Sequence, residues 1–283
     1  MNERKLIIQS TSQPINQLIN QLANYTLHLA DNNLILTQRN GDWCGHGPIL
    51  EQDIAITNIT LDLIGQARNF YQYAASLINT QSELQASKVP PLEEFREASE
   101  DTLAYLRKER EFKNCLLVEQ QNGDWAQTIL RQFFYSVYQY LLYEKMQHSK
   151  DAQLASIAAK AIKEVKYHVT WSSEWVIRLS DGTVESKTRM EKAINELWRY
   201  TGELFVPAPY EKKMIEAGIA PNVEEIKNDW LKKVEEVFAE ATLKLPEGIF
   251  MQTGGKTGIH TESFGFMLAE MQYLQRAYPG AEW

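Results

Sequence analysis

Cysteine is nearly missing from this chain. Two residues among 283, Cys44 and Cys115, cannot build a disulfide framework, and so sparse a usage points to a reducing cytoplasm. Glycine and proline are also scarce, at 14 and 9, and most of them fall between long stretches rather than inside them. No apolar run approaches the roughly 18 to 20 residues that cross a bilayer. Met1 to Gln13 holds only Leu6-Ile7-Ile8 as an apolar block, too little for a signal peptide. These absences predict a soluble cytoplasmic protein with no membrane partner. A basic excess is lacking too: 29 Lys and Arg stand against 37 Asp and Glu, a net charge of −8. That balance argues against nucleic acid as a partner, while leaving room for a local basic patch around an anionic ligand.

What is present is helical periodicity. Runs at helical spacing extend over about Pro14 to Thr37, Ile49 to Thr80, Leu92 to Phe112, the Asn122-Gly123-Asp124 turn to His148, and Ala152 to Leu179. Shorter ones follow at about Val184 to Gly202, Tyr210 to Ala217, Val223 to Thr242 and Thr261 to Arg276. Period-two alternation bounded by turns is absent, so strands are not expected. Long helices with short connections predict an all-α bundle with additional C-terminal helices. With 44% hydrophobic residues, no linker and no repeat, residues 1–283 read as one domain, of which 1–13 form a flexible N-terminal extension.

Two of these helices carry polar residues on unexpected faces. In the run from Ile49, Ile54, Ile56, Ile59, Leu61, Leu63, Ile64, Ala67 and Phe70 spread apolar surface round most of the circumference, which predicts a largely buried helix. Asn58, Asp62 and Gln66 nevertheless fall at i, i+4 and i+8. They form either a solvent-facing stripe or a polar centre within the bundle, where metal sites of such folds lie. In the run from Ala152, Ala158, Ala161, Val165, His168, Ser172, Trp175 and Leu179 form a seam that buries His168. Glu164 stands one turn earlier, about 40° round the helix. A lone histidine on such a face is more often a satisfied core residue than a ligand. Glu164-Val165-Lys166-Tyr167-His168 is nonetheless nearly the Glu-x-x-His ligand motif of di-iron carboxylate bundles, with Val165 where the carboxylate belongs.

Other signals are weaker. Gly254-Gly255-Lys256-Thr257 imitates the end of a P-loop, but Phe250 stands where glycine is required, and a connector is the better reading. Cys44 and His46 have no second pair to complete a zinc site. No Gly-x-Ser-x-Gly elbow occurs. Phe133, Phe134, Tyr135, Tyr138, Tyr140 and Tyr143 surround their helix, as core plus partner interface would require.

Taken in order, several segments resemble the C-subunit family of the bacterial ring 1,2-phenylacetyl-CoA epoxidases. They include Trp43-Cys44-Gly45-His46, Leu61-Asp62-Leu63-Ile64-Gly65-Gln66-Ala67-Arg68-Asn69-Phe70, Val118-Glu119-Gln120-Gln121-Asn122-Gly123, Thr253-Gly254-Gly255-Lys256 and Gly258-Ile259-His260-Thr261-Glu262. The resemblance covers about Ala23 to Trp283. It implies a ferritin-like bundle that carries no cofactor of its own. Its expected partners are a catalytic A subunit holding a di-iron site, a small B subunit and a reductase. The C subunit would be structural, and pairing of the isolated chain with itself is left open.

The resemblance also implies where ligands would stand. Asn33 takes the first helix's carboxylate position, Asp62 and Gly65 the second helix's Glu-x-x-His, Ser136 the third helix's position, and Val165 and His168 the fourth's. Only Asp62 and His168 retain coordinating side chains, which predicts a buried polar network with Gln66, Arg68 and Glu164 in place of metal. The alternative is an oxidoreductase holding two irons or manganese ions through displaced ligands such as Glu51, Glu144, Glu164 and His168.

Overall fold

The computed structural model describes residues 3–85 and 97–281, with side chains described for 16–81 and 97–281. Four long helices dominate it: α1 (Glu3–Gly41), α2 (Leu50–Gln85), α4 (Trp125–Met146) and α5 (Ala152–Asp181). No strand occurs among the described residues. Short turns join α1 to α2 and α4 to α5, so each pair packs antiparallel. A long connection carrying α3 (Glu100–Tyr105) links the two hairpins. Two helical hairpins joined by one crossover are the ferritin-like arrangement.

Local chemistry fixes the helix starts. The Asp53 carboxylate accepts the Gly45 and Gly47 N–H groups at 3.1 and 2.9 Å, closing the turn onto α2. Asp124 caps α4 through the Gln127 N–H, and Asp151 caps α5 through the Leu154 N–H at 2.8 Å. The two capping carboxylates, Asp124 and Asp151, each satisfy a donor that the helix itself leaves free. The run expected as one helix over Leu92 to Phe112 differs: from residue 97 on it is α3 followed by a single 3-10 turn at Glu109–Glu111. Residues 92–96 lie outside the described residues, as do the side chains of the expected extension over 1–13.

The C-terminal half wraps the bundle. α6 (Val184–Leu197) and α8 (Val223–Glu240) pack on α4, and α7 (Pro209–Glu216) packs on α1. Trp198, Trp230 and Phe238 interlock with Phe134, Phe205 packs on Trp230 and Tyr138, and the Trp230 indole donates to the Phe134 carbonyl at 2.9 Å. The aromatics of α4 are therefore largely buried by the chain's own helices, with Trp125 and Tyr140 half-buried, and a partner is not needed to cover them. The helix expected over Thr261 to Arg276 is divided into α9 (Glu262–Met271) and α10 (Tyr273–Ala277). Among the described residues no helix is long and apolar enough to cross a membrane.

Burial of α2 departs from the even apolar spread of its sequence. Ile56, Ile59, Leu63, Ala67 and Phe70 are buried, but Ile54, Leu61 and Ile64 are exposed. These three stand among the exposed polar residues Glu51, Asn58 and Arg68, so one face of this helix is uncovered and mixed in character.

Candidate functional site

Side chains from all four long helices meet in one polar centre. The Gln139 amide on α4 donates to Asn33 Oδ1 on α1 at 2.7 Å and to Gln66 Oε1 on α2 at 3.0 Å. Tyr143, one turn further along α4, donates to Gln66 Oε1 and accepts from Asn33 Nδ2 at 3.2 Å. Gln66 Nε2 in turn donates to Glu164 Oε2 on α5 at 2.9 Å. Burial pushes the Tyr143 phenol up to about 12, so it stays a neutral donor across the physiological range. Asn33, Gln66, Gln139 and Tyr143 are all buried, and Gln139 Oε1 is a buried acceptor without a partner among the described residues.

A second rung lies beside the first. His168 Nε2 on α5 and Asp62 Oδ2 on α2 are 3.0 Å apart. Asp62 precedes Gln66 by four residues and His168 follows Glu164 by four, so antiparallel helices put the two pairs one turn apart. The Asn58, Asp62, Gln66 stripe thus runs from exposed through half-buried to buried. Steps of four residues advance about 40° past a full turn, which walks the stripe off the surface into the core.

The structure brings together Asn33, Gln66 and Glu164 in one group, and Asp62 and His168 in another. Three expected positions need correction. Arg68 is not in the network: it is exposed, and its Nε donates to Glu100 Oε1 at 2.9 Å. Ser136 is not the third helix's central residue, because it accepts from Gln132 on its own helix while Gln139, three residues on, reaches Asn33. Gly65 is exposed with open space where a Cβ would stand, so the histidine position of α2 points away from the centre and Gln66 points in. Val165 is fully buried among apolar groups. Sequence reasoning missed Gln139 and Tyr143. Their signal was the stripe Gln132, Ser136, Gln139, Tyr143, at steps of four, three and four within an otherwise apolar helix.

The donors do not fit a di-iron pair, which needs about four carboxylates and two histidines. The centre offers three neutral amides and a phenol with one carboxylate, Glu164, at its edge, and the adjoining rung adds only Asp62 and His168. The displaced set is not assembled either, since Glu51 and Glu144 are exposed on α2 and α4. Among the described residues no three of His, Cys, Asp and Glu are grouped so as to hold a metal ion.

The family model described as "Phenylacetic acid catabolic protein" matches residues 1–283. The chain belongs to this family. It is also 48% identical over 265 residues to the C subunit of 1,2-phenylacetyl-CoA epoxidase from Escherichia coli (strain K12), a match covering 94% of this chain and 100% of that protein. In this member of the family the glycine-rich segment before α9 is a fastening, not a phosphate loop. Glu203 accepts the N–H groups of Leu116 and Gly254 at 2.7 Å each, and Lys256 pairs with Glu211 at 3.0 Å deep in the fold. A Cβ on Gly255 would lie 2.4 Å from the Asn114 carbonyl, so only glycine lets the strap approach so closely. Glu119 accepts from His260 Nδ1 at 2.7 Å and from the Thr261 N–H at 2.6 Å, anchoring the start of α9.

The same cluster sets an acid response. His28 is buried, with Nδ1 2.7 Å from the Lys113 carbonyl and Nε2 3.7 Å from Glu211, while Lys256 and Asp31 also act on it. Burial holds its pKa below the usual value of about 6.5. The unfolded chain therefore takes up this proton first, and stability present above about pH 6.5 is lost as pH falls below it. His260 acts oppositely. Burial opposes its charge, but the Glu119 carboxylate outweighs this and raises its pKa, so its contribution is present below about pH 6.5 and lost as pH rises through the raised value. Urea unfolding at pH 7.5 and 5.5 is expected to show a smaller acid loss for His28→Gln than for the unaltered chain. Equal losses would remove His28 from the account.

Proposed function

We propose that this chain is the C subunit of a phenylacetyl-CoA ring 1,2-epoxidase, a non-catalytic partner that pairs with and stabilises the di-iron A subunit in aerobic phenylacetate breakdown. The iron belongs to the A subunit, and a B subunit and a reductase complete the assembly. The observation that carries this reading is Gln139 bridging Asn33 and Gln66, where a catalytic bundle of this type would carry carboxylates on a metal pair. The extensive relationship to the C subunit of a known epoxidase supports the assembly. Pairing between bundle subunits of this kind calls for a large, apolar, obligate interface, beyond roughly 2,000 Å².

Co-expression tests the pairing. The A subunit of the same system, carrying the only affinity tag, is expected to retain this chain at 1:1 through gel filtration and to lose soluble yield without it. Elution of the two as separate species would count against the proposal.

A further inference from the structure

α9 and α10 form a ridge that the rest of the chain leaves uncovered. Gln272, between them, keeps a right-handed helical backbone, and the Arg276 N–H still reaches the Gln272 carbonyl at 3.1 Å, so the two run as one helical rod. Glu262, Phe266, Ala269, Tyr273 and Arg276 are all exposed and follow at steps of four, three, four and three, along one face of that rod. Phe266 is 75% and Tyr273 63% exposed, two large aromatics two turns apart in solvent. Aromatic rings so placed mark a contact surface rather than a folding core.

This face matches its own reversal. Turned end for end about Ala269, Glu262 meets Arg276, Phe266 meets the Gln272–Tyr273 step, and Ala269 meets Ala269. Opposite charges then face each other at both ends, and aromatic meets aromatic on either side of the centre. The smallest side chain of the face stands at the crossing, where two helices approach closest. The charges are also available. Among the described residues the Glu262 carboxylate has no partner. Arg276 uses one terminal nitrogen, on the Leu106 and Arg107 carbonyls at 3.4 and 3.1 Å, which leaves Nε and the other terminal nitrogen for a carboxylate. Glu270, the other exposed acid of α9, lies about 100° round the helix from Ala269, on the flank of such a contact.

We propose that two copies of this chain pair through α9 and α10, antiparallel about a two-fold axis at Ala269, with Phe266 of each packed on Tyr273 of the other. In an isologous contact every pair occurs twice, so the aromatic pair and the Glu262–Arg276 pair both count double. The aromatics supply the affinity and the charges fix the register. One short rod from each chain falls below the roughly 1,200 Å² of lasting complexes, so the pair is transient, with a dissociation constant on the order of 10–100 µM. This inference does not rest on the proposed epoxidase role.

The test uses the isolated full-length chain in sedimentation equilibrium. Glu262→Arg is expected to raise the dissociation constant about tenfold by setting like charges opposite, and adding Arg276→Glu to restore it to within about threefold. In a Cys44→Ser background, Ala269→Cys should cross-link into dimers with a short bismaleimide, because a residue on the axis meets its own copy. Glu235→Cys, equally exposed but on α8, should stay uncross-linked. A chain that stays monomeric at about 500 µM, or a dimer whose dissociation constant ignores the charge swap, overturns the proposal. So does an Ala269→Cys chain that cross-links no better than Glu235→Cys.

Discussion

Asp31→Asn is expected to lower the unfolding free energy by about 3–5 kcal/mol, the usual cost of removing one partner of a buried ion pair. Asp31 is fully buried on α1 and pairs with the Arg107 guanidinium. It also accepts the Tyr71 hydroxyl at 2.6 Å and the Lys113 N–H at 2.8 Å. Burial alone would favour neutral Arg107, but Asp31 and Tyr71 more than reverse this and hold the group charged. Loss of the carboxylate charge therefore strands a cation, and the isosteric amide cannot compensate it. An exposed pair gives the contrast: Arg178 and Glu174 stand 3.7 Å apart in solvent, and Arg178→Ala should cost no more than about 1 kcal/mol. Urea unfolding measures both. An Asp31→Asn loss no larger than that of Arg178→Ala would show that the α1–Arg107 connection does not hold the fold.

Gln139→Leu carries the second large effect. The substitution keeps the volume roughly but strips Asn33 Oδ1 and Gln66 Oε1 of their shared donor. Each buried acceptor left unpaired costs about 1–3 kcal/mol, so about 2–4 kcal/mol is expected once Tyr143 takes over part of the load. The discriminating readout is iron in the complex with the A subunit. A structural centre predicts lower stability of this chain with unchanged iron per complex. Iron that falls in proportion to the loss of Gln139 would mean that this centre, not the partner's, takes part in holding metal.

Much of the bundle was legible because burial and helical period coincide. Asp124 and Asp151 announce two helix starts, and Ala158, Ala161, Val165 and His168 follow the buried seam of α5. The polar centre was half legible. Asn33, Asp62 and His168 stand at positions that the family's ligand pattern singles out, and Gln66 and Glu164 read as polar partners beside them. Gln139 was hidden because the connection before α4 leaves its register open by about a turn, and Ser136 and Gln139 share nearly the same face. Periodicity misread α2 for a physical reason: apolar residues all round a helix signal burial, but not whether its own chain provides it. Ile54 and Leu61 read the same as Ile56 and Leu63 until the other helices are in place. The strap around Lys256 was illegible because its partners, Glu203 in a 3-10 turn and Glu211 on α7, stand 53 and 45 residues earlier, and no local pattern links them.

We propose a bundle whose ligand positions do not hold metal. The most direct test is the iron content of the isolated, full-length chain after anaerobic incubation with ferrous iron and desalting, measured by mass spectrometry of the element. The account predicts far less than one iron per chain, with the A subunit in a parallel preparation retaining about two. Two irons per chain, lost on Gln139→Leu or His168→Ala, would contradict it.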